Sequence, residues 1–229
     1  FNPDIATRCR AMRWLAATVL EAADLPLGID SSHPAVLEAG LQACAGRRPP
    51  LLNSVSLERL AAASLAAKHR ARVIASAAGP AGIPDAPAER AANLEKLLQH
   101  LADAGIERND IFLDPLVLPV ATGSANPGVT LETIRLLRGW YGAALHITGG
   151  FSNVSYGMPA RRLINLVFTS LAIRAGADSG IVDPLQVSAA ALAGLDSDSS
   201  AARLAHNLLS GADEFGADFL AAYRAGQIN

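Results

Sequence analysis

The chain has 229 residues and a mass of 23.7 kDa, and its 51% hydrophobic and 17% charged residues exclude a disordered protein. The 19 basic and 21 acidic residues give a net charge of -2 without a basic run, which argues against nucleic acid as a partner. No stretch reaches the ~20 consecutive apolar residues of a membrane span, and the first residues lack the order of a signal peptide. We therefore expect a cytoplasmic protein with no membrane partner.

Short apolar runs alternate with helical patterns along most of the chain. After a helix expected over Asp4 to Ala23, strands are predicted at residues 25–30, 50–53, 72–77, 111–118, 144–148 and 179–183. Helices are predicted to follow them at 34–45, 56–69, 87–104, 129–141, 159–175 and in the last part of the chain. Six strand-plus-helix units in succession predict parallel strands joined by crossover helices.

This alternation fits both a doubly wound sheet and a barrel, so the positions of the polar residues decide between them. Polar residues fall where the apolar runs stop, and no Gly-x-Gly-x-x-Gly segment opens a helix. In a barrel all of these strand ends converge on the face that holds the active site. The sequence therefore predicts a single α/β domain over residues 1-229, a TIM (β/α)8 barrel whose first two β/α units are missing from this chain.

The polar residues at the ends of the apolar runs are candidates for a binding site: Asp30, Asn53, Asp114, Asp183 and residues 149–153. Each carboxylate taken alone could instead cap the helix that follows it. Ser32 or His33, before Pro34, already supplies a helix start and leaves Asp30 free. Asp114 lies in an apolar stretch and needs a partner to offset its burial. Such acceptors suit a flat heterocycle with adjacent N–H donors better than a phosphate.

The segment after the fifth expected strand carries further candidates. Gly149 and Gly150 let the backbone approach a ligand closely, and Asn153 offers both a donor and an acceptor. From composition alone, Asn153 could equally be a turn residue. Ser152 lies beside it, but no histidine in the pattern serves as its base, so a catalytic triad is not expected.

Metal and Schiff-base chemistry receive no support from the sequence. Cys9 and Cys44 lack metal-ligand spacing, and the five histidines are scattered without a pair at ligand distance. Lysine occurs only at Lys68 and Lys96, both in helical stretches. We expect no metal site and two reduced cysteines without a catalytic role.

Several segments together resemble one known family. They are PLGIDS at 26–31, LNS at 52–54, FLDPLVLP at 112–119, GFSNVSYG at 150–157, LIN at 163–165 and AGAD to IVDP at 175–184. In this order they resemble the pterin-binding methyltransferases that act on methyltetrahydrofolate and a corrinoid protein. That family is related to the pterin domain of cobalamin-dependent methionine synthase and, more distantly, to dihydropteroate synthase.

The resemblance implies an enzyme that moves the methyl group from N5 of methyltetrahydrofolate to the cobalt of a corrinoid. It implies that Asp30, Asn53 and Asp114 hold the pterin ring and that Asn153 lies over N5 as the catalytic residue. Gly150 and Ser152 are expected in the same binding site. It further implies methyltetrahydrofolate as substrate, cobalamin or another corrinoid carried by a partner protein, and a homodimer.

Two alternatives remain at this stage. The first is an enzyme like dihydropteroate synthase, in which the corresponding loop looks like Ser-Arg-Lys and supplies a cation for a diphosphate leaving group. Here the same place reads Ser152-Asn153-Val154, without a cation. The second alternative is a pterin-binding module without turnover. The family's front strand also ends in an Asp-x-Asn-x-Gly-type segment, which this sequence does not contain before Asp4.

Overall fold

The computed structural model describes residues 4–228, whose strands and helices alternate as the sequence predicts. Strands β1 to β5 span Gly28–Asp30, Leu51–Val55, Arg72–Ser76, Ile111–Asp114 and His146–Ile147. Helices α1 to α9 span Ile5–Ala22, Pro34–Ala43, Ala61–Lys68, Pro87–Asp103, Asn126–Tyr141, Arg161–Ala175, Ala189–Ala193, Ser200–Ser210 and Ala217–Arg224. The first five strand predictions are therefore confirmed; β2 runs two residues beyond the predicted end, and the other four strands are shorter than expected.

The strands follow one another in the sheet in chain order, β1-β2-β3-β4-β5. β1 pairs with β2 in parallel, and the register places Asp30 beside Asn53. β2 pairs with β3 in parallel as well, with a register irregularity between Asn53 and Val55. Parallel neighbours separated by helices are the predicted β/α arrangement.

The described chain divides into two compact units. The first comprises the residues up to Gly82 together with Ala92–Leu113, and the second comprises Ile83–Ala91 together with the residues from Asp114 onward. The single domain expected over residues 1-229 stays a prediction.

Close packing of α2 on β1 marks the core of the first unit. A Cβ atom added to Gly40 would lie 2.6 Å from Cγ2 of Ile29 and 3.0 Å from Cγ of Met12, so only glycine fits there without a shift of its neighbours. Leu52 and Val73 on the neighbouring strands are completely buried. Burial of these apolar side chains is what stabilises this unit.

Aromatic packing marks the core of the second unit. The rings of Phe151 and Phe168 meet edge to face with centroids 5.8 Å apart, and both side chains are buried. Farther along the chain, the carboxylate of Asp213 accepts hydrogen bonds from the backbone N–H groups of Asp218 and Phe219, in the first turn of α9. Asp213 is therefore satisfied although it is buried.

The strand predicted at residues 179–183 is wrong. The segment makes one isolated parallel bridge, between Ile181 and Gly150, instead of a strand. Directly after it, the carboxylate of Asp183 accepts from the Leu185 N–H at 2.9 Å and from the side chain of Gln186 at 2.9 Å. These local bonds turn the chain from Asp183 onward, so the bridge at Ile181 is not extended into a longer strand.

The strand expected at 111–118 also ends early, at Asp114. Pro115 has no N–H to donate to a sheet, and Leu116 has the positive φ angle of +67°. A left-handed residue cannot continue an extended strand. The chain therefore leaves the sheet directly after Asp114.

No helix in the described part of the chain is long and apolar enough to cross a membrane.

Candidate functional site

In the first unit, Asp30 and Asn53 lie side by side at neighbouring strands. Asp30 is the last residue of β1, and its carboxylate accepts a hydrogen bond of 3.3 Å from Nδ2 of Asn53. The Asp30 side chain is exposed and Asn53 is half-buried. The pair therefore presents oxygen acceptors to solvent, and its place in a binding site stays a prediction.

The helix after Asp30 begins without using its carboxylate. His33 is the N-cap of α2, its Nδ1 accepts from the Ala35 N–H at 3.2 Å, and Pro34 occupies the first turn. The sequence-based assignment of the helix start to Ser32 or His33 is confirmed for His33. The carboxylate of Asp30 is therefore available for a ligand.

In the second unit, Asp114 is held at the end of β4 by its own loop. Its Oδ1 accepts a hydrogen bond of 2.8 Å from the Leu116 N–H. Loss of hydration raises the pKa of the Asp114 carboxyl to about 6, whereas the Leu116 N–H and the positive charge of Arg90 act to lower it. A half-buried carboxylate that is costly to ionise gains most from a ligand that donates N–H groups to it.

Arg90, a buried cation that acts on Asp114, is not among the residues predicted from the sequence. The side chain of Arg90 is 1% exposed, and its guanidinium donates to backbone carbonyls of Pro84, Pro115 and Leu116. Helical spacing is the sequence signal that indicates the burial of Arg90. Arg90 falls on the same stripe of α4 as the fully buried Leu94, Leu97 and Leu101.

Asn153 lies in a short 3-10 helix, Phe151–Ser155, directly after β5. The residue is exposed, and its carboxamide forms no hydrogen bond with another side chain or backbone group in residues 4–228. Its Nδ2 lies so near Gly150 that a Cβ atom there would be 2.9 Å away. The carboxamide is thus free to bind a ligand and passes close over the Gly150 backbone.

The turn that carries Asn153 is held from α6. Nε of Arg161 donates to Oγ of Ser155 at 3.0 Å, and Nη2 of Arg161 donates to the Ser152 carbonyl at 3.0 Å. The hydroxyl of buried Ser155 donates to the same carbonyl at 3.2 Å. The hydroxyl of Ser152 is buried without a partner among the described residues. Three bonds on one turn hold Asn153 on a rigid support.

The structure thus brings together Asp30 with Asn53 in one unit, and Gly150, Ser152 and Asn153 in the other, where Asp114 also lies. A separate cavity of about 700 Å³ is lined by residues of α6 and α8, including Arg174 and Arg203. It contains none of the predicted site residues. Within the described residues, no group of three or more His, Cys, Asp or Glu side chains could hold a metal ion.

These side chains provide acceptors and neutral donors and very little positive charge. In the second unit, Asp114 can accept N–H groups of a flat heterocycle, and Asn153 can donate to a ring nitrogen; in the first unit, Asp30 can accept such groups as well. The guanidinium of Arg161 already donates to Ser155 and Ser152. Groups of this kind suit a polar ring better than a diphosphate, which requires cations.

Comparison with known proteins gives a consistent picture. A model of the family described as pterin binding enzyme matches residues 5–183. The methylcorrinoid:tetrahydrofolate methyltransferase of Eubacterium limosum is 29% identical over 226 residues, which cover 95% of this chain and 78% of that protein. The methionine synthase of Mycobacterium tuberculosis is 33% identical over 186 residues, which cover 75% of this chain and only 15% of that protein. These matches confirm the resemblance drawn from the sequence motifs.

A solved structure shares the fold. The dihydropteroate synthase of Xanthomonas albilineans, in complex with indole-2-carboxylic acid and 6-chloroguanine, aligns with a TM-score of 0.59 and 18% identity. The alignment covers 99% of this chain and 75% of that chain. At this identity the match speaks for the fold alone, and together with the family match it confirms the TIM-barrel class predicted from the β/α alternation and the polar residues at the strand ends.

Proposed function

Since the chain belongs to the family of pterin-binding enzymes, we propose that it transfers a methyl group between N5 of tetrahydrofolate and the cobalt of a corrinoid. Support comes from the relative named methylcorrinoid:tetrahydrofolate methyltransferase, which matches 95% of the chain. Methyltetrahydrofolate is then the substrate, and the corrinoid is carried by a partner protein. The homodimer stays a prediction of the family resemblance.

The observation that carries this proposal is the free carboxamide of Asn153 on its held turn. A reaction that releases diphosphate needs a cation at the leaving group, and Ser152-Asn153-Val154 supplies none. A reaction whose leaving group is a ring amine needs a neutral donor next to that nitrogen. An exposed amide without a protein partner in residues 4–228 meets this need.

In the proposed site, ring binding falls to the strand-end acceptors. Asp114 accepts the adjacent N–H groups of the pterin while the Leu116 N–H keeps its carboxylate oriented. Asp30 and Asn53 are the further ring-binding residues that the family motifs indicate. Gly150 leaves room for the Asn153 carboxamide, because a Cβ atom there would lie 2.9 Å from Nδ2 of Asn153.

The chemical step is limited by the poor leaving ability of a neutral tertiary amine. As the methyl group bonds to cobalt, the N5–CH3 bond breaks and its electron pair returns to N5. Asn153 donates a hydrogen bond to N5 that strengthens as this electron density develops, so the bond is worth most in the transition state. An amide is not a proton donor at neutral pH, so the proton reaches N5 from water. A reduced corrinoid supplies the nucleophilic cobalt when its carrier protein is bound. The chain itself contributes orientation and leaving-group stabilisation.

A single-turnover experiment tests this proposal. The protein is saturated with methyltetrahydrofolate and mixed with free cob(I)alamin under anaerobic conditions, and formation of methylcobalamin is followed in the visible spectrum. We expect protein-dependent conversion. Calorimetric binding of methyltetrahydrofolate without any conversion, with carrier protein absent or present, would instead identify a binding module without turnover.

A further inference from the structure

The buried guanidinium of Arg90 donates its hydrogen bonds to loop carbonyls and makes no ion pair. Its Nε donates to Pro84 at 2.7 Å, and its Nη1 donates to Pro115 at 3.0 Å and to Leu116 at 2.8 Å. No carboxylate in the described part of the chain lies within ion-pair distance of it. Burial of a charged guanidinium costs free energy of hydration, so we expect Arg90 to have a role beyond packing.

Leu116 is the residue on which these contacts converge. It has a φ angle of +67°, which a leucine adopts only where its surroundings impose it. Its carbonyl accepts from Nη1 of Arg90 at 2.8 Å and from the hydroxyl of buried Thr130 at 2.9 Å. Its N–H donates to Oδ1 of Asp114 at 2.8 Å. Side chains of α4 and α5 thus hold the Leu116 carbonyl, and the Leu116 N–H holds the Asp114 carboxylate.

We propose that Arg90 and Thr130 are positioning residues, which hold Leu116 in its left-handed conformation so that its N–H fixes the Asp114 carboxylate for ring binding. This rests on the proposed function, because it assumes that Asp114 binds the pterin. Neither residue needs to touch the ring. They act through the backbone of Leu116.

The charges around the carboxylate support the same assignment. Arg90 is the charged group that acts on Asp114, and Asp85 in turn acts on Arg90. Arg90 and the Leu116 N–H both lower the pKa of Asp114, against the larger effect of its burial. A loosened Leu116 therefore raises the pKa of Asp114, which gives a readout that requires no ligand.

The decisive variant is Thr130→Val, which keeps the shape and removes the hydroxyl. Thr133→Val is its matched control, because Thr133 is equally buried on the same helix and its hydroxyl bonds only to the Val129 carbonyl of α5. Thr130→Ser restores the hydroxyl. In each protein the midpoint of Asp114 is measured from the pH dependence of its carboxyl carbon resonance, assigned with Asp114→Asn. Methyltetrahydrofolate affinity is measured alongside it.

We expect Thr130→Val to raise the Asp114 midpoint above about 6 and to weaken methyltetrahydrofolate binding roughly three- to tenfold, an effect typical of one lost hydrogen bond. Thr130→Ser is expected to behave like wild type. Arg90→Lys, which keeps the charge, is expected to move the midpoint less than Arg90→Met, which should raise it by about one pH unit. If Arg90→Met does not fold, the threonine variants carry the test.

The outcomes separate this proposal from the proposed function. Equal midpoints and affinities in Thr130→Val and Thr133→Val would overturn the positioning role. A raised midpoint with unchanged affinity would overturn its link to ring binding. If wild type binds no methyltetrahydrofolate, the proposed function fails, and the midpoint comparison still decides whether Thr130 positions Asp114.

Discussion

At the scale of single residues, the half-buried carboxyl of Asp114 lowers the stability of the ligand-free protein and favours binding of a ligand with N–H donors. Burial raises the pKa of its carboxyl to about 6, so ionising it at neutral pH opposes folding. A ligand with adjacent N–H donors recovers that cost because it supplies the charge-assisted hydrogen bonds that water no longer provides. This is the reason for proposing Asp114 as a binding group.

Asp114→Asn is expected to weaken binding of methyltetrahydrofolate by roughly 30-fold to several hundred-fold. The amide keeps one acceptor but turns an N–H₂ group toward the ring donors, and losing a buried charge-assisted pair costs about 2–4 kcal/mol. Isothermal titration calorimetry measures the change. Asp103→Asn is the matched control, since that exposed residue lies at the end of α4. An unchanged dissociation constant in Asp114→Asn would remove Asp114 from the site.

The affinity should also depend on pH through the same carboxyl. Because its pKa is raised to about 6, the ligand-free carboxyl is ionised above about pH 7 and protonated below about pH 5. We expect constant affinity above about pH 7 and a loss of up to about tenfold per pH unit below about pH 6. The profile of Asp114→Asn supplies the baseline, because it contains any titration of the ligand itself. Parallel profiles in the two proteins would contradict the assignment.

At the scale of elements, the proposed function assigns the chemistry to the turn between β5 and α6. Arg161 and Ser155 hold the Ser152 carbonyl, and the turn presents Asn153 beside Gly150. The short 3-10 helix thus provides a rigid base for an exposed amide. Catalytic groups on such supports lose little entropy when the transition state forms.

Gly150→Ala is expected to lower the methyl-transfer rate about tenfold or more while the protein remains folded. The added Cβ would lie 2.9 Å from Nδ2 of Asn153, and the end of that side chain can swing away, so its orientation is disturbed and the fold is not. Gly139→Ala is the matched control, because no atom lies within 4 Å of a Cβ at that helical position. Single-turnover rates and thermal unfolding are measured for both. Equal rates in the two variants would show that the close approach of the Asn153 carboxamide to Gly150 does not affect methyl transfer.

The sequence predicts those elements whose signals are local. Five of the predicted apolar runs form strands in the expected order. The N-cap of α2 is His33, one of the two residues predicted to begin that helix. The run at 179–183 forms only the isolated bridge between Ile181 and Gly150, because a strand needs a partner along its length, and apolar composition does not reveal that. Arg90 was not predicted as a core residue, because charged side chains are rarely buried even where they share a helix face with apolar residues.

At the scale of the whole molecule, the chain covers very different shares of its two named relatives. It matches 78% of the methyltransferase from Eubacterium limosum but only 15% of the methionine synthase from Mycobacterium tuberculosis. We therefore propose that the corrinoid arrives on a separate domain or protein. The TIM-barrel class was predictable from the β/α alternation together with the polar residues where the apolar runs stop, whereas the expected loss of two front units stays a prediction.

The most direct test of the central claim is a comparison of wild type with Asn153→Ala in single-turnover methyl transfer to free cob(I)alamin, with methyltetrahydrofolate saturating. If Asn153 stabilises the developing charge at N5, the rate should fall by about 10²- to 10³-fold while the dissociation constant of methyltetrahydrofolate changes much less. Saturation with the pterin and use of free cob(I)alamin isolate the chemical step from docking of a carrier protein. A rate within about threefold of wild type, in a folded variant, would contradict the account and leave Asn153 as a turn residue.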